Sequence, residues 1–186
     1  MNVYTINNVF LQQEIKRIKK DLDSSTHMPD PALGRDRVEF DKMTDEFRKQ
    51  LVDKVSDIVL NLTNQELVCD GFYAVRYSNK HGKPNLPPHF DGDKSDFVFS
   101  FQLPSNSFWG FGLGLKVHEL ENNSAILFNP NKNIHWRPHK RFRDVEYLDM
   151  IFFRFISVPA NDYSHVSRSE YDPVFKDVRD YRDSLV

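Results

Sequence analysis

The stretch Pro87-Pro88-His89-Phe90-Asp91-Gly92-Asp93 decides how the rest of the chain is read. Side chains on an extended segment alternate between faces, so His89 and Asp91, two residues apart, point to the same side and can converge on one cation. Downstream, Asn131-Lys132-Asn133-Ile134-His135-Trp136-Arg137 reads as another strand, and His135 offers a third donor. Two imidazoles and one carboxylate on one face of an ion leave the opposite positions open, which makes the set a candidate redox metal site. His139, four residues past His135, is the competing distal donor, but it follows Pro138 and enters a charged loop. Asp93 reads as a turn residue and His118 as a hydrogen-bonded strand residue. His27, His81 and His165 lie in polar surroundings and read as surface side chains.

A His-x-Asp pair arises by chance in many chains, so its surroundings carry the reading. It follows the strand-like run Tyr73-Ala74-Val75-Arg76-Tyr77 and a polar turn cluster, and it precedes a second such run from Phe97 to Leu103. Strands are predicted near 72–78, 88–92, 96–103, 112–120, 124–128, 133–137 and 147–156. Sixteen Phe residues suit this pattern, because strands favour large aromatic side chains that bury much apolar area. So many short strands within about 85 residues imply a sandwich or jelly roll. The glycine-rich segment from Phe108 to Leu115 lacks the Lys-Ser/Thr of a phosphate loop and reads as a bulged strand.

The first 70 residues follow a different period. Asn7 and Asn8 could cap a helix whose Leu11, Ile15, Ile18 and Leu22 share one face. After an expected loop holding Pro29, Pro31 and Gly34, a second helix is predicted from Thr44 to Leu62, with Phe47, Leu51, Val55, Ile58, Val59 and Leu62 on the side that lies on a sheet. The tail from Ser157 is polar, with a weak helical segment over 173–182, and is expected to wrap the surface.

The chain of 186 residues fits one domain: supporting helices over 1–70, a mainly β core over 71–156 and a tail over 157–186. A net charge of -2 gives no global basic field, so nucleic acid is not the first partner to expect, although a local patch stays open. The lone Cys69 cannot form an internal disulfide, the opening residues lack the pattern of a signal peptide, and no apolar run is long enough to span a membrane. A cytoplasmic protein is expected.

The order of these pieces resembles the Fe(II)/2-oxoglutarate-dependent oxygenases, and within them the prolyl 4-hydroxylase-like branch. The resemblance rests on the Arg76-Tyr77 strand end, Pro88-His89-Phe90-Asp91, the 110–115 strand, Ser124-Ala125-Ile126-Leu127-Phe128, His135 seven residues later, and the closing strand from Tyr147 to Phe155. It covers about residues 71 to 156 and implies a double-stranded β-helix, a jelly roll, preceded by supporting helices. It further implies that His89, Asp91 and His135 hold Fe(II), that 2-oxoglutarate and O2 take the open positions, and that ascorbate is a candidate reductant. A C–H bond of a prolyl or other amino-acid residue is then the target, with a small metabolite or a modified nucleobase as the alternative. The enzyme's partner is then a peptide or small-molecule substrate; a third reading is a non-catalytic jelly-roll binding module in which His89 and Asp91 only hold a turn together.

The family places a basic residue early in the closing strand to anchor the remote carboxylate of 2-oxoglutarate, but here Glu146 precedes Tyr147. Arg143 is the candidate by spacing. Arg154 is the candidate by strand parity, because it shares a face with Leu148, Met150 and Phe152. Tyr77 is expected to donate its hydroxyl to the same carboxylate, and Arg137 to face the cavity and meet an acidic substrate.

Overall fold

The computed structural model describes residues 3–185; Met1, Asn2 and Val186 lie outside it. In chain order, β1 (Tyr4–Asn7) leads into α1 (Gln12–Ser24), then β2 (Thr26–Asp30), β3 (Arg35–Glu39) and α2 (Asp45–Thr63). The core follows as β4 (Val68–Ser78), β5 (Phe97–Gln102), β6 (Phe111–Leu113), β7 (Lys116–His118), β8 (Ser124–Phe128), β9 (His135–Trp136) and β10 (Tyr147–Ile156), before α3 (Lys176–Asp183). Seven strands form one antiparallel sheet in the order β1-β8-β5-β10-β4-β3-β2, and a smaller sheet has the order β7-β6-β9.

Period-two alternation along β10 divides the protein into layers. Ile151, Phe153 and Phe155 point outward and pack with Phe99, Phe101 and Leu127 against the apolar stripes of the two long helices. Leu148, Met150 and Phe152 point inward and meet Ile126, Phe128, Trp109 and Phe111, which fill the space between the sheets. The helical stripes are those expected: Ile15, Ile18 and Leu22 on α1, and Phe47, Leu51, Val55 and Val59 on α2. Thr44 caps α2 by accepting the Phe47 N–H, and Asn64 ends it in the left-handed region.

Several expectations are corrected. The segment holding Pro29, Pro31 and Gly34 is not a plain loop but part of the β2–β3 hairpin, turned by Pro31–Leu33 and by Gly34 at φ 58°. Pro29 is tolerated because β2 is the edge strand, where a missing donor leaves no ladder bond broken. Leu11, not Asn7 or Asn8, begins α1, and Glu14 reaches back to accept the Leu11 N–H at 2.6 Å. The expected strand over 112–120 folds at Gly114 (φ 54°) into the β6–β7 hairpin, and that over 88–92 makes a single bridge, at His89. Gly112 is required for a different reason: a Cβ there would lie 2.2 Å from Trp136 Cε2, so the indole packs flat on bare backbone.

The tail touches the core at separate points. Asp96 accepts from Tyr163 Oη at 2.7 Å and Asn161 Nδ2 at 2.6 Å. On α3, Arg182 Nε donates to the Arg137 carbonyl at 2.9 Å, and Tyr181 meets Trp136 edge-on. No helix among the described residues is long and apolar enough to cross a membrane.

The outward face of β10 carries one charge, Asp149, which is fully buried. Arg76 closes on it with two hydrogen bonds, Nε to Oδ1 at 2.7 Å and Nη2 to Oδ2 at 2.9 Å. Asp149→Asn leaves that guanidinium facing a neutral amide and is expected to lower stability by about 3 kcal/mol, the low end for breaking a buried pair. Urea unfolding checks this; an unchanged midpoint would show that the pair contributes nothing net.

Candidate metal centre

Backbone pairing sets the site. His89 donates its N–H to the His135 carbonyl at 3.1 Å and accepts the His135 N–H at 3.0 Å. Residues that exchange both bonds across antiparallel segments project their side chains to the same face, and here the two imidazole centroids lie 4.0 Å apart. Asp91, two residues on, brings Oδ1 to 3.2 Å from His135 Nε2 and 3.5 Å from His89 Nε2. One donor atom from each of the three falls within 4.8 Å of the others.

The ring nitrogens facing away fix the tautomers. His89 Nδ1 lies 2.8 Å from the Pro87 carbonyl and His135 Nδ1 lies 3.2 Å from that of Asn133. A carbonyl only accepts, so in neutral rings each Nδ1 carries the proton and each Nε2 presents a lone pair. Burial pushes the His135 pKa down, which favours the neutral ring. Burial opposes the Asp91 charge, but the two histidines outweigh it and hold the carboxyl well below the usual carboxylate range. Three lone-pair donors aimed at one another need a cation between them, and this N2O set suits a divalent transition metal.

Asn131 ties the two ligand-bearing loops together from a buried position. Its Oδ1 accepts the Gly92 N–H at 2.7 Å, and its Nδ2 donates to the carbonyls of Ser95 (2.7 Å) and Asp93 (3.1 Å). Gly92 allows the turn after Asp91 by adopting φ 59°. From the triad a cavity of about 150 Å³ runs between the sheets, walled by Phe111, Phe128, Tyr77, Ser100 and Arg35. On the outer side His89 and Asp91 border an open cleft of about 590 Å³, with Tyr73, Phe90, Arg168 and Tyr171 around it.

No family model matches the chain, and no curated protein matches its sequence. Solved structures do match its fold. HygX from Streptomyces hygroscopicus, with nickel and 2-oxoglutarate bound, is 13% identical and superposes with a TM-score of 0.60 over 82% of each chain. An oxidoreductase of the 2OG-Fe(II) oxygenase family from Burkholderia pseudomallei is 10% identical, with a TM-score of 0.62 over 89% of this chain and 86% of its own. The viral collagen prolyl hydroxylase of Paramecium Bursaria Chlorella virus-1, in complex with 2OG, is 12% identical, with a TM-score of 0.59 over 83% and 96%. The fold is the double-stranded β-helix of the 2-oxoglutarate oxygenases.

Within this β-helix the residues singled out from sequence separate into groups. His89, Asp91 and His135 meet, and Tyr77 lines the cavity beside them. Arg137 is buried nearby: Nη1 donates to the carbonyls of Trp109 and Gly110, and the rings of Trp109, Phe111 and Tyr77 lie 5.0, 5.3 and 5.7 Å from the guanidinium carbon. Burial pushes its pKa down to about 10. Arg154 lies elsewhere. It bonds Asp70 and Asp93, each at 3.1 Å, in an outer cleft, because parity gave its face correctly but not its height along β10. Arg143 sits in the loop before β10, where its N–H donates to Glu146, and it does not line the cavity. His139 Nε2 lies 2.9 Å from Asp183, outside the triad.

Arg35, Ser100 and Asn131 were not singled out. Arg35 follows the expected loop of Pro29, Pro31 and Gly34, and the alternation with buried Asp36 and Val38 is the sequence signal that marks its strand. Ser100 sits among phenylalanines in a run that reads as plain core, and nothing local marks Asn131 as a link between loops.

Asp91→Ala removes the anionic donor and is expected to weaken Fe(II) binding by more than about a hundredfold, beyond the effect typical of outer partners. His118→Ala, on the small sheet away from the triad, should leave it unchanged. Anaerobic equilibrium dialysis measures both; equal iron stoichiometry in Asp91→Ala and wild type would remove Asp91 from the site.

Proposed function

We propose that the chain is an Fe(II)- and 2-oxoglutarate-dependent dioxygenase that hydroxylates an unactivated C–H bond, with a prolyl or other amino-acid residue as its target. The observation that carries the reading is the convergence of two fixed Nε2 lone pairs and one carboxylate on a point open to a cleft. His89, Asp91 and His135 would hold the iron, whose chemistry with 2-oxoglutarate is oxygen activation coupled to decarboxylation to succinate.

The chain's own contribution is placement. The His89–His135 backbone bridge fixes the distance between two ligands, and Asn131 fixes the turn that aims the third. Phe111 and Phe128 wall the cavity and keep bulk water from the ligand nitrogens, with Phe128 5.1 Å from the His135 ring. The outer cleft is wide enough for a side chain presented on a peptide, and its aromatic rim offers flat apolar surface to one. O2 is the second substrate and ascorbate the candidate reductant. The single unpaired Cys69 fits a reducing compartment, and we place the enzyme in the cytoplasm.

Succinate release from the iron-loaded protein, screened against prolyl peptides, free amino acids, small metabolites and nucleosides, tests the reading. One class should stimulate turnover well above the uncoupled background. His135→Ala should abolish it, whereas His139→Ala should not. A wild-type protein that binds iron yet never consumes 2-oxoglutarate with any class would favour a non-catalytic binding module.

A further inference from the structure

A second cleft adjoins the metal site. Past the pairing of Val38 with Ala74, β3 parts from β4, and a cleft of about 520 Å³ lies between residues 39–41 on one side and 70–73 on the other. Tyr73 lines it and also lines the cleft of about 590 Å³ at His89 and Asp91, so the two meet at that side chain. Arg35, Arg37, Arg48 and Arg154 face the second cleft. Two of them are neutralised, Arg35 by Asp30 at 2.9 Å and Arg154 by Asp70 and Asp93 at 3.1 Å each. The other two meet no carboxylate among the described residues. Arg37 is exposed and lies over Tyr73, its guanidinium carbon 4.9 Å from the ring centroid. Arg48 gives Nη2 to the Phe40 carbonyl at 2.8 Å, and its buried Nε has no partner.

Two guanidiniums without a counter-charge, one of them held against a ring, form a receptor for an anion. The acids in the same walls limit which anion it is. Asp70 is taken by Arg154 and Asp41 by Lys42, while Glu39 pairs with neither Arg37 nor Arg48. These carboxylates interrupt the continuous positive track that a phosphate backbone needs, and the chain's net charge of -2 adds no general attraction for one. A discrete carboxylate fits instead. The two clefts together are larger than one amino acid, so an extended peptide can lay one residue at the metal and another beside Arg37.

We propose that the substrate is an acidic peptide: an Asp or Glu side chain close in sequence to the target residue docks between Arg37 and Arg48, while the target itself enters the metal cleft past Tyr73. The inference rests on the peptide-oxygenase reading above and supplies its specificity. Arg137, expected from sequence to meet an acidic substrate, is 1% exposed and lines neither cleft, so the role moves to β3 and α2.

Calorimetric titration of the Mn(II)-loaded full chain with two synthetic peptides tests this, each carrying a central proline, one flanked on both sides by Glu and the other by Gln at the same positions. Wild type should bind the Glu peptide on the order of tenfold more tightly, the scale of two partly exposed charge-assisted pairs, and the difference should shrink as salt is raised. Arg37→Gln should reduce the preference to roughly threefold, and Arg37→Gln/Arg48→Gln should remove it. Lys176→Gln, on α3 outside both clefts, should keep it in full, and Mn(II) affinity should be unchanged in all three. Equal affinity of wild type for the two peptides overturns the inference without any variant, as does full preference in the folded double variant. Tighter binding of a single-stranded oligonucleotide than of the Glu peptide overturns it in favour of nucleic acid. Succinate release from the iron-loaded chain with the same peptides separates the two claims. Turnover without a Glu preference refutes this inference alone, whereas preference without turnover on any peptide sinks the oxygenase reading and the substrate role with it.

Discussion

Two backbone hydrogen bonds between His89 and His135 organise this protein's site. Separated by 46 residues of sequence, the two imidazoles are brought to a fixed spacing not by side-chain contacts but by the geometry of an antiparallel pair. Everything needed to make that pair form is remote from it: the large sheet that closes one side of the barrel, the β6–β9 ladder that carries His135, and the Asn131 bonds that keep the first ligand loop against the second. Because a bridged backbone pair has few soft degrees of freedom, the two bonds limit how far the ligands can separate.

The same sheet solves a second problem. Its outer face must bury two long helices and its inner face must wall a cavity, and β10 does both by alternating Ile151, Phe153 and Phe155 with Leu148, Met150 and Phe152. The polar exception on the outer face, Asp149, is matched by Arg76, whereas the buried cation inside, Arg137, is left without a protein counter-charge. Its guanidinium is held instead by carbonyls and aromatic rings.

Strand alternation, helix stripes and the His-x-Asp motif are local patterns, and the strands over Ser124–Phe128 and Tyr147–Ile156 fall where their periodicity puts them. The convergence of His89, Asp91 and His135 was legible for the same reason, since two of them lie on one extended segment. What stayed hidden depends on distance in space. Pro29 and Pro31 disguised an edge hairpin and with it Arg35. Parity gave the face of Arg154 but not how far along the barrel it stands, and its two acidic partners, Asp70 and Asp93, come from segments whose proximity no local pattern encodes.

The contact between α3 and β9 has a temporal side. Arg182 holds the carbonyl of Arg137, and Tyr181 packs on Trp136, so the strand bearing the distal histidine is braced from behind by a helix translated some 40 residues after it. A chain still emerging from the ribosome can already carry all three donors, yet the strand that positions one of them lacks its backing. The placement of the third donor thereby depends on the last helix of the chain as well as on the strands that precede it.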